Sequence, residues 1–405
     1  MKLALISIGN EVLSGRTIDT NANFLAKEFE KNGFVVGRQM VISDDCQEIS
    51  TAFQEAFARC DLVIATGGLG PTLDDSTRKA AAEFFSSPFH LSEEVEKDLL
   101  ERFGPRLETI EDQATIPKKA IPILNPLGTA PALVFDEGSK MLLLLPGVPH
   151  EMKALFEKAL PRVREKFAPK ENIFRRSINF FDLVEKDVDP TLRQLQENYR
   201  HVSFGIYPGL GLLFCTLEVT AANEREANKL LEPPLQVLLE RFGKSAFQEA
   251  AIEEAVQTRF TKNGMTLSLA ESCTGGAIAS RLTSRAGSSR YFLGSFVTYS
   301  NEMKTEILGV SRELIEKHGA VSGQVAREMV LGAQRLSGSS HAAAVTGIAG
   351  PQGGDRDKPV GTIWFAICDK GNEPLVWQVE KKGTREMVIA FSVNHILAAL
   401  VKHYG

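Results

Sequence analysis

The sequence is short of several things that would narrow its function at once. Its five cysteines (Cys46, Cys60, Cys215, Cys273 and Cys368) are odd in number and scattered. They form no C-x-x-C or Cys/His pair, which argues against a disulfide framework and a thiolate metal site. No apolar run approaches the roughly 20 residues of a membrane span. Positive charge is not in excess: 46 Lys and Arg face 51 Asp and Glu. The net charge of −5 gives no bulk electrostatic reason to bind nucleic acid or an anionic membrane. Low-complexity tracts and repeats of solenoid period are also missing. The opening "MKLALISIGNEV" has too short an apolar stretch for a signal peptide and no small-residue cleavage site, so it reads as a first strand. Reduced thiols and no targeting signal predict a cytoplasmic protein.

What is there is an ordinary globular composition over 405 residues, enough for two or three domains with cores of their own. Over residues 1–167, buried strand-like runs ("KLALISIG", "DLVIATGG", "KMLLLLPGVP") alternate with amphipathic helical segments. That alternation predicts an α/β, doubly wound, mostly parallel sheet covered on both faces, with ligands bound at the carboxyl ends of its strands. Residues 168–248 read as a small α+β module. Residues 249–405 again alternate strands and helices and end in the long segment "REMVIAFSVNHILAALVKHY".

Two sets of residues carry chemistry. In the first domain, three turns that follow strands bring acidic groups: Glu11 in "IGNEVLSG", Asp44 (with Asp45) in "VISDDCQ", and Asp74 and Asp75 in "TGGLGPTLDD". A parallel sheet gathers these along one edge, where like charges call for a compensating cation such as Mg²⁺. The glycines of "TGGLG" offer backbone N–H groups to phosphate oxygens. Carboxylates, metal and phosphate cradle together fit hydrolysis of a diphosphate. The plainer alternative is that these acids are helix N-caps and the glycines a turn.

The second set lies in the last domain. "LSLAESCTGGAIAS" places Ser272 and Cys273 between a strand and a helix, where N–H groups lack intrahelical partners and can meet a developing oxyanion. No histidine motif adjoins them. The candidate base is Lys304 in "TYSNEMK", in the first turn of a helix capped by Ser300 or Asn301, where partial desolvation favours the neutral amine. Tyr299 precedes it and is placed to relay a proton or position the amine. A Ser–Lys pair is a variant of the nucleophile–base logic; Cys273 is the competing nucleophile. Thr346, Gly347 and Gly350 of "AVTGIAGPQGG" and Arg385 of "KGTREMV" supply a turn and a guanidinium for ribose and phosphate, or else an ordinary turn and a solvated helix start.

The motifs "IGNEVLSGRTIDTNANFLA", "TGGLGPTLDD", "GTAPAL" and "LPGVPHEM" resemble the molybdopterin-binding-like domain of the CinA (competence/damage-inducible protein A) family. "AESCTGG", "GSFVTYSNEMK", "HGAVSGQVA", "TGIAGPQGG" and "KPVGTIWFA" resemble that family's C-terminal domain, whose stand-alone relatives are nicotinamide mononucleotide deamidases. The resemblance implies two activities; the alternatives are that only the last domain is active and the first is a nucleotide- or pterin-binding module, or that the protein is mainly an interaction partner in competence or recombination. The first domain would be a metal-dependent ADP-ribose pyrophosphatase, with Asn10, Gly67, Gly68 and Gly70 at phosphate and Glu11, Asp44, Asp74 and Asp75 at a divalent metal. The last would hydrolyse the carboxamide of nicotinamide mononucleotide without a cofactor. There Ser272 is the nucleophile, Lys304 the base and Tyr299 an assisting group, with Cys273, Thr274, Gly275, Gly276, Thr346, Gly347, Gly350 and Arg385 at substrate. The family's KH-like middle domain corresponds to residues 168–248, but no G-x-x-G loop is present and "FFDLVEK" replaces the usual G-I-G-E-S. A structural or dimer-forming role is therefore expected, with small nucleotides, not nucleic acid or membrane, as partners and a homodimer as the assembly. One further departure is Ala132, where the family reads GTAPG. A glycine there would permit close ligand approach or a positive φ.

Overall fold

The computed structural model describes residues 2–70, 75–104, 109–167 and 172–404. The chain divides into two compact units, Met1–Ile173 and Phe174–Gly405. The first contains β1 (Lys2–Ile8), α1 (Asn10–Leu13), α2 (Thr20–Lys31), β2 (Val35–Ile42), α3 (Cys46–Phe57), β3 (Leu62–Thr66) and α4 (Thr77–Phe84). It continues with β4 (Phe89–Leu91), α5 (Glu93–Phe103), α6 (Ile110–Ala114), β5 (Thr115–Pro117), β6 (Ala120–Ile123), β7 (Ala132–Glu137), β8 (Lys140–Leu145) and α7 (Pro149–Lys166).

Among the described residues, the main sheet has the order β2-β1-β3-β8-β7-β6. β2, β1, β3 and β8 run parallel, and β7 and β6 are antiparallel additions. The strands "LVIAT" and "KMLLLL" are buried on both faces, as a sheet covered by helices on two sides requires. β1 has β2 on one side and β3 on the other, so the winding reverses at its carboxyl end. That is where doubly wound sheets open a crevice for ligands. Side-chain caps start the flanking helices: Asp19 accepts from Ala22 N (2.8 Å) to begin α2, and Asp45 accepts from Gln47 N and Glu48 N (both 3.0 Å) to begin α3. Of the adjacent acids Asp44 and Asp45, the second is thus a helix cap.

The second unit opens with β9 (Asn172–Phe181), α8 (Glu185–Asn198), β10 (Val202–Pro208), β11 (Leu212–Ala221), α9 (Glu224–Phe242) and β12 (Ala246–Phe247). These form a sheet of order β10-β11-β9-β12 with α8 and α9 against it. Its apolar residues also reach the C-terminal core: Phe181, Leu212 and Phe247 share a cluster with Phe260, Leu269 and Ile396. Asn394 Nδ2 donates to Leu210 O at 2.8 Å, and Lys402 pairs with Asp182 at 2.7 Å. This packing joins residues 174–248 to the last sheet in one unit.

The remainder comprises α10 (Ile252–Lys262), β13 (Leu267–Glu271), α11 (Ala277–Thr283), β14 (Phe292–Val297), α12 (Asn301–Leu308), α13 (Arg312–His318), α14 (Gly323–Ser337), β15 (His341–Gly347), β16 (Thr362–Asp369), β17 (Leu375–Glu380) and α15 (Arg385–His403). The sheet order is β14-β13-β15-β16-β17, with β13 parallel to both neighbours and β16 and β17 antiparallel. The winding again reverses at a central strand, β13, and Ser272 comes directly after its last residue. Among the described residues no helix is long and apolar enough to cross a membrane.

Candidate active site

The turn after β13 is built by two glycines and one carboxylate. Gly275 (φ 60°) and Gly276 (φ 96°) are both left-handed, and a Cβ on either would meet no close atom, so backbone conformation and not space selects glycine. Glu271, fully buried at the end of β13, accepts from Thr274 Oγ1 (2.8 Å), Gly276 N (3.0 Å), Ile278 N (3.1 Å), Ala279 N (3.0 Å) and Ser295 Oγ (3.0 Å). Its carboxylate thereby satisfies the orphan donors at the start of α11 and ties them to β14. Ser272 N donates to Val345 O at 3.0 Å, which fixes the residue between β13 and β15.

Lys304 meets Ser272 from the other side. Ser300 Oγ accepts from Met303 N (3.2 Å) and caps α12, which puts Lys304 in its first turn. A helical side chain leans toward the N-terminus. Here it returns to the end of β14, where Nζ donates to Thr298 O (2.8 Å) and Tyr299 O (3.1 Å). Nζ also lies 3.0 Å from Ser272 Oγ. Lys304 is 1% exposed, and no carboxylate is among its hydrogen-bond partners in the described residues. Desolvation pushes its pKa down from 10.5 to about 8. A neutral amine has two N–H bonds and one lone pair. With both N–H groups held by carbonyls, the lone pair is directed at the serine hydroxyl, the orientation a general base needs.

The other predicted residues fall into place around this pair or turn away from it. Cys273 is buried, and desolvation raises its thiol to about 12, far from a thiolate at neutral pH. The N–H groups of Gly275 and Gly276 donate to Ser272 O and Glu271, so the oxyanion donors of the turn narrow to Cys273 and Thr274. Tyr299 is 60% exposed; its carbonyl holds the lysine, while its hydroxyl accepts from Arg385 Nη2 (3.2 Å). Arg385 Nη1 donates to Gly350 O (3.0 Å), joining the β15–β16 loop to the β14–α12 turn. Thr346 is turned away, donating to Ala320 O (2.9 Å), whereas a Cβ on Gly347 would lie 3.1 Å from Cys273 Sγ.

In the first unit, a cavity of about 460 Å³ opens at the carboxyl ends of β1, β2, β3 and β8. Glu11, Asp44, Asp75, Gly67, Gly68 and Gly70 line it, and Asn10 lies outside it. Asp74 lies outside the described residues. The N–H of Asn10 donates to Asp44 Oδ2 (2.9 Å) and that of Gly67 to Leu145 O (3.0 Å), so those two donors hold the turns together. Gly67 (φ 104°) is required on steric grounds, since a Cβ would lie 2.1 Å from Ile8 O. Ala132 begins β7 opposite Ile123 inside the core, so its methyl occupies no part of the cavity lining.

Glu151 and Gln113 also line this cavity, and neither is among the residues expected from the sequence. Glu151, in the first turn of α7, lines it and accepts from the buried Asn125 (2.7 Å). Its signal was available, because "LPGVPHEM" repeats the strand–turn–acid pattern of "IGNEVLSG". Gln113 lines it too, and nothing in its local sequence marks it. The donors are hard oxygens suited to Mg²⁺. Among the described residues no three such groups converge at metal-binding distance. That suits an ion held by one or two carboxylates and by substrate phosphates.

Fold and sites together define a two-unit α/β protein with a carboxylate-lined cavity at the winding reversal of the first main sheet and a buried Ser–Lys pair at that of the second. Residues 4–165 match the family described as probable molybdopterin binding domain, and residues 249–404 the CinA C-terminal domain. A putative competence-damage inducible protein of Alkaliphilus oremlandii is 36% identical, covering 99% of this chain and 98% of its own length. A CinA-like protein of Geobacter sulfurreducens is 40% identical, covering 91% of each. The chain belongs to the CinA family. A solved competence/damage inducible protein from Agrobacterium tumefaciens is 42% identical over 37% of this chain and 93% of its own, with a TM-score of 0.36.

Proposed function

We propose that the second unit is an amidohydrolase that converts the carboxamide of nicotinamide mononucleotide to the carboxylate and ammonia. The observation that carries this is the 3.0 Å approach of Lys304 Nζ to Ser272 Oγ in a site where burial favours the neutral amine. Lys304 takes the hydroxyl proton as Ser272 Oγ attacks the carboxamide carbon. The N–H groups of Cys273 and Thr274 receive the oxyanion. The resulting ammonium of Lys304 protonates the leaving nitrogen, the C–N bond breaks, and ammonia departs from a Ser272 ester. Water then opens the ester, with Lys304 accepting its proton and returning it to Ser272. Arg385, held by Gly350 and Tyr299, has further N–H groups for the substrate phosphate.

For the first unit the proposed activity is hydrolysis of the diphosphate of ADP-ribose. Glu11, Asp44, Asp75 and Glu151 line the cavity, and one or two of them together with the substrate phosphates would hold a divalent ion, which when bound polarises phosphoryl oxygens and activates water. The turns at Gly67 to Gly70 bring backbone to the same cavity.

Ammonia release from nicotinamide mononucleotide and hydrolysis of ADP-ribose, each measured with and without Mg²⁺, test both readings. The account expects the first to be metal-independent and lost in Ser272→Ala, and the second to be metal-dependent and lost in Glu11→Gln. Full ammonia release by Ser272→Ala refutes the amidase mechanism, and metal-independent cleavage of ADP-ribose refutes the metal role.

A further inference from the structure

Gln113 is the anomaly of the first unit. It is 0% exposed and lines the cavity, and neither Oε1 nor Nε2 has a hydrogen-bond partner. A buried carboxamide with all its hydrogen bonds unmade is costly and rare, and it calls for an explanation. The segment that carries it is tied to α4 through Arg78. Gln113 N donates to Thr109 O (3.0 Å). The Arg78 guanidinium binds Asp112 O (2.6 Å) and Thr115 O (3.2 Å) on either side, and Gly70 O (3.1 Å) in the turn after β3. The arginine thus clamps the segment carrying Gln113 to the turn that lines the same cavity. The structure maintains an unpaired donor and acceptor side by side just beneath the cavity surface, where a ligand pairs with them by displacing the atoms that cover them.

A carboxamide is complementary to any ring edge that places an acceptor next to a donor, and it pairs with adenine in this two-bonded way. We propose that Gln113 is the specificity-determining residue of the cavity, reading the aminopyrimidine-type edge of a heterocycle whose phosphates face the carboxylates. The inference rests on the diphosphate-hydrolase reading and deepens it: the substrate must carry such a ring, and a sugar phosphate alone would leave Gln113 unpaired. Adenine and pterin both present this edge.

The test compares Gln113→Leu, an apolar side chain of similar size, with the full-length wild type. Binding of adenosine monophosphate, pterin and ribose 5-phosphate is measured by calorimetry in Mg²⁺, and the ligand-free thermal midpoint by scanning. Loss of two hydrogen bonds weakens the bound heterocycle about tenfold or more. Ribose 5-phosphate binding stays unchanged, and the ligand-free midpoint stays or rises, because an unsatisfied buried group has been removed. Whichever of adenosine monophosphate and pterin shows the loss identifies the ring. Equal weakening of ribose 5-phosphate, unchanged binding of both heterocycles, or a midpoint lowered by several degrees overturns the proposal. Should Gln113→Leu not fold, Gln113→Asn withdraws the carboxamide by one methylene and is read by the same binding criteria. Hydrolysis of ADP-ribose with KM unaltered in the variant refutes this inference and leaves the hydrolase reading standing. Gln113-dependent nucleotide binding without hydrolysis does the reverse.

Discussion

Raising the pH from 7 to 9.5 should switch on the amidase through one group. Lys304 titrates near 8 where an ordinary lysine titrates at 10.5. The neutral fraction is then about 9% at pH 7, about 50% at pH 8 and about 97% at pH 9.5, against roughly 0.03% at pH 7 for an unperturbed lysine. Burial therefore supplies about 300-fold more base at neutral pH. The assay is kcat/KM for ammonia release, started above pH 6.8 so that the substrate phosphate, with its second pKa near 6, is already dianionic. The account expects a rise approaching tenfold per unit below pH 7.5 and a plateau above pH 9, the limb of the profile reporting the free enzyme's base. A rate still climbing tenfold per unit at pH 9.5 would show that the lysine is not desolvated in solution. A flat profile from pH 7 to 9 would remove Lys304 as the titrating base.

The same depression has a stability consequence. Between pH 8 and 10.5 the unfolded chain holds more protons than the folded one, so stability rises with pH in that window. The wild type should gain about 2 kcal/mol relative to Lys304→Met between pH 7 and 9.5, measured by denaturant titration; a matched pH response in both would contradict it. Cys273→Ala should keep its ammonia release within a few-fold, since it preserves the backbone N–H and removes only a thiol held near 12; loss of activity would return the cysteine to the mechanism. Glu271→Gln should destabilise the second unit by about 3 kcal/mol, because the amide turns donors toward donors where the carboxylate met five. Chemical denaturation checks it, and a change below about 0.5 kcal/mol would deny the carboxylate its structural part. Arg385→Ala should raise KM for the mononucleotide about tenfold or more while sparing hydrolysis of a phosphate-free analogue; equal losses on both would move the arginine from phosphate binding to positioning Tyr299.

Much of the fold was legible in one dimension, for identifiable reasons. The runs "DLVIATGG" and "KMLLLLPGVP" could be read because parallel strands buried on both faces lack polar alternation. Ser272 and Lys304 could be paired because each comes after a strand and opens a helix, so their place in the fold came with their place in the pattern. Glu271 was passed over because an acid at a strand end looks like a boundary. Only the return of α11 and β14 around it turns it into a hub. Asp44 was the expected ligand and Asp45 stood beside it without a role; successive side chains point apart, so Asp44 lines the cavity and Asp45 caps α3. The union of residues 174–248 with the last sheet depends on Phe181, Leu212 and Phe247 facing outward from their own sheet. No local periodicity records that. Gln113 is invisible in sequence for the complementary reason: its significance is the absence of a partner.

The most direct test of the central claim, that Ser272 is the nucleophile activated by Lys304, is to map the covalent intermediate. Enzyme quenched in acid during turnover of nicotinamide mononucleotide is digested and fragmented by mass spectrometry, in parallel with Ser272→Ala. The account predicts an acyl group on Ser272 in the wild type, with neither adduct nor ammonia in the variant. An acyl group on Cys273, or undiminished ammonia release from Ser272→Ala, would contradict it.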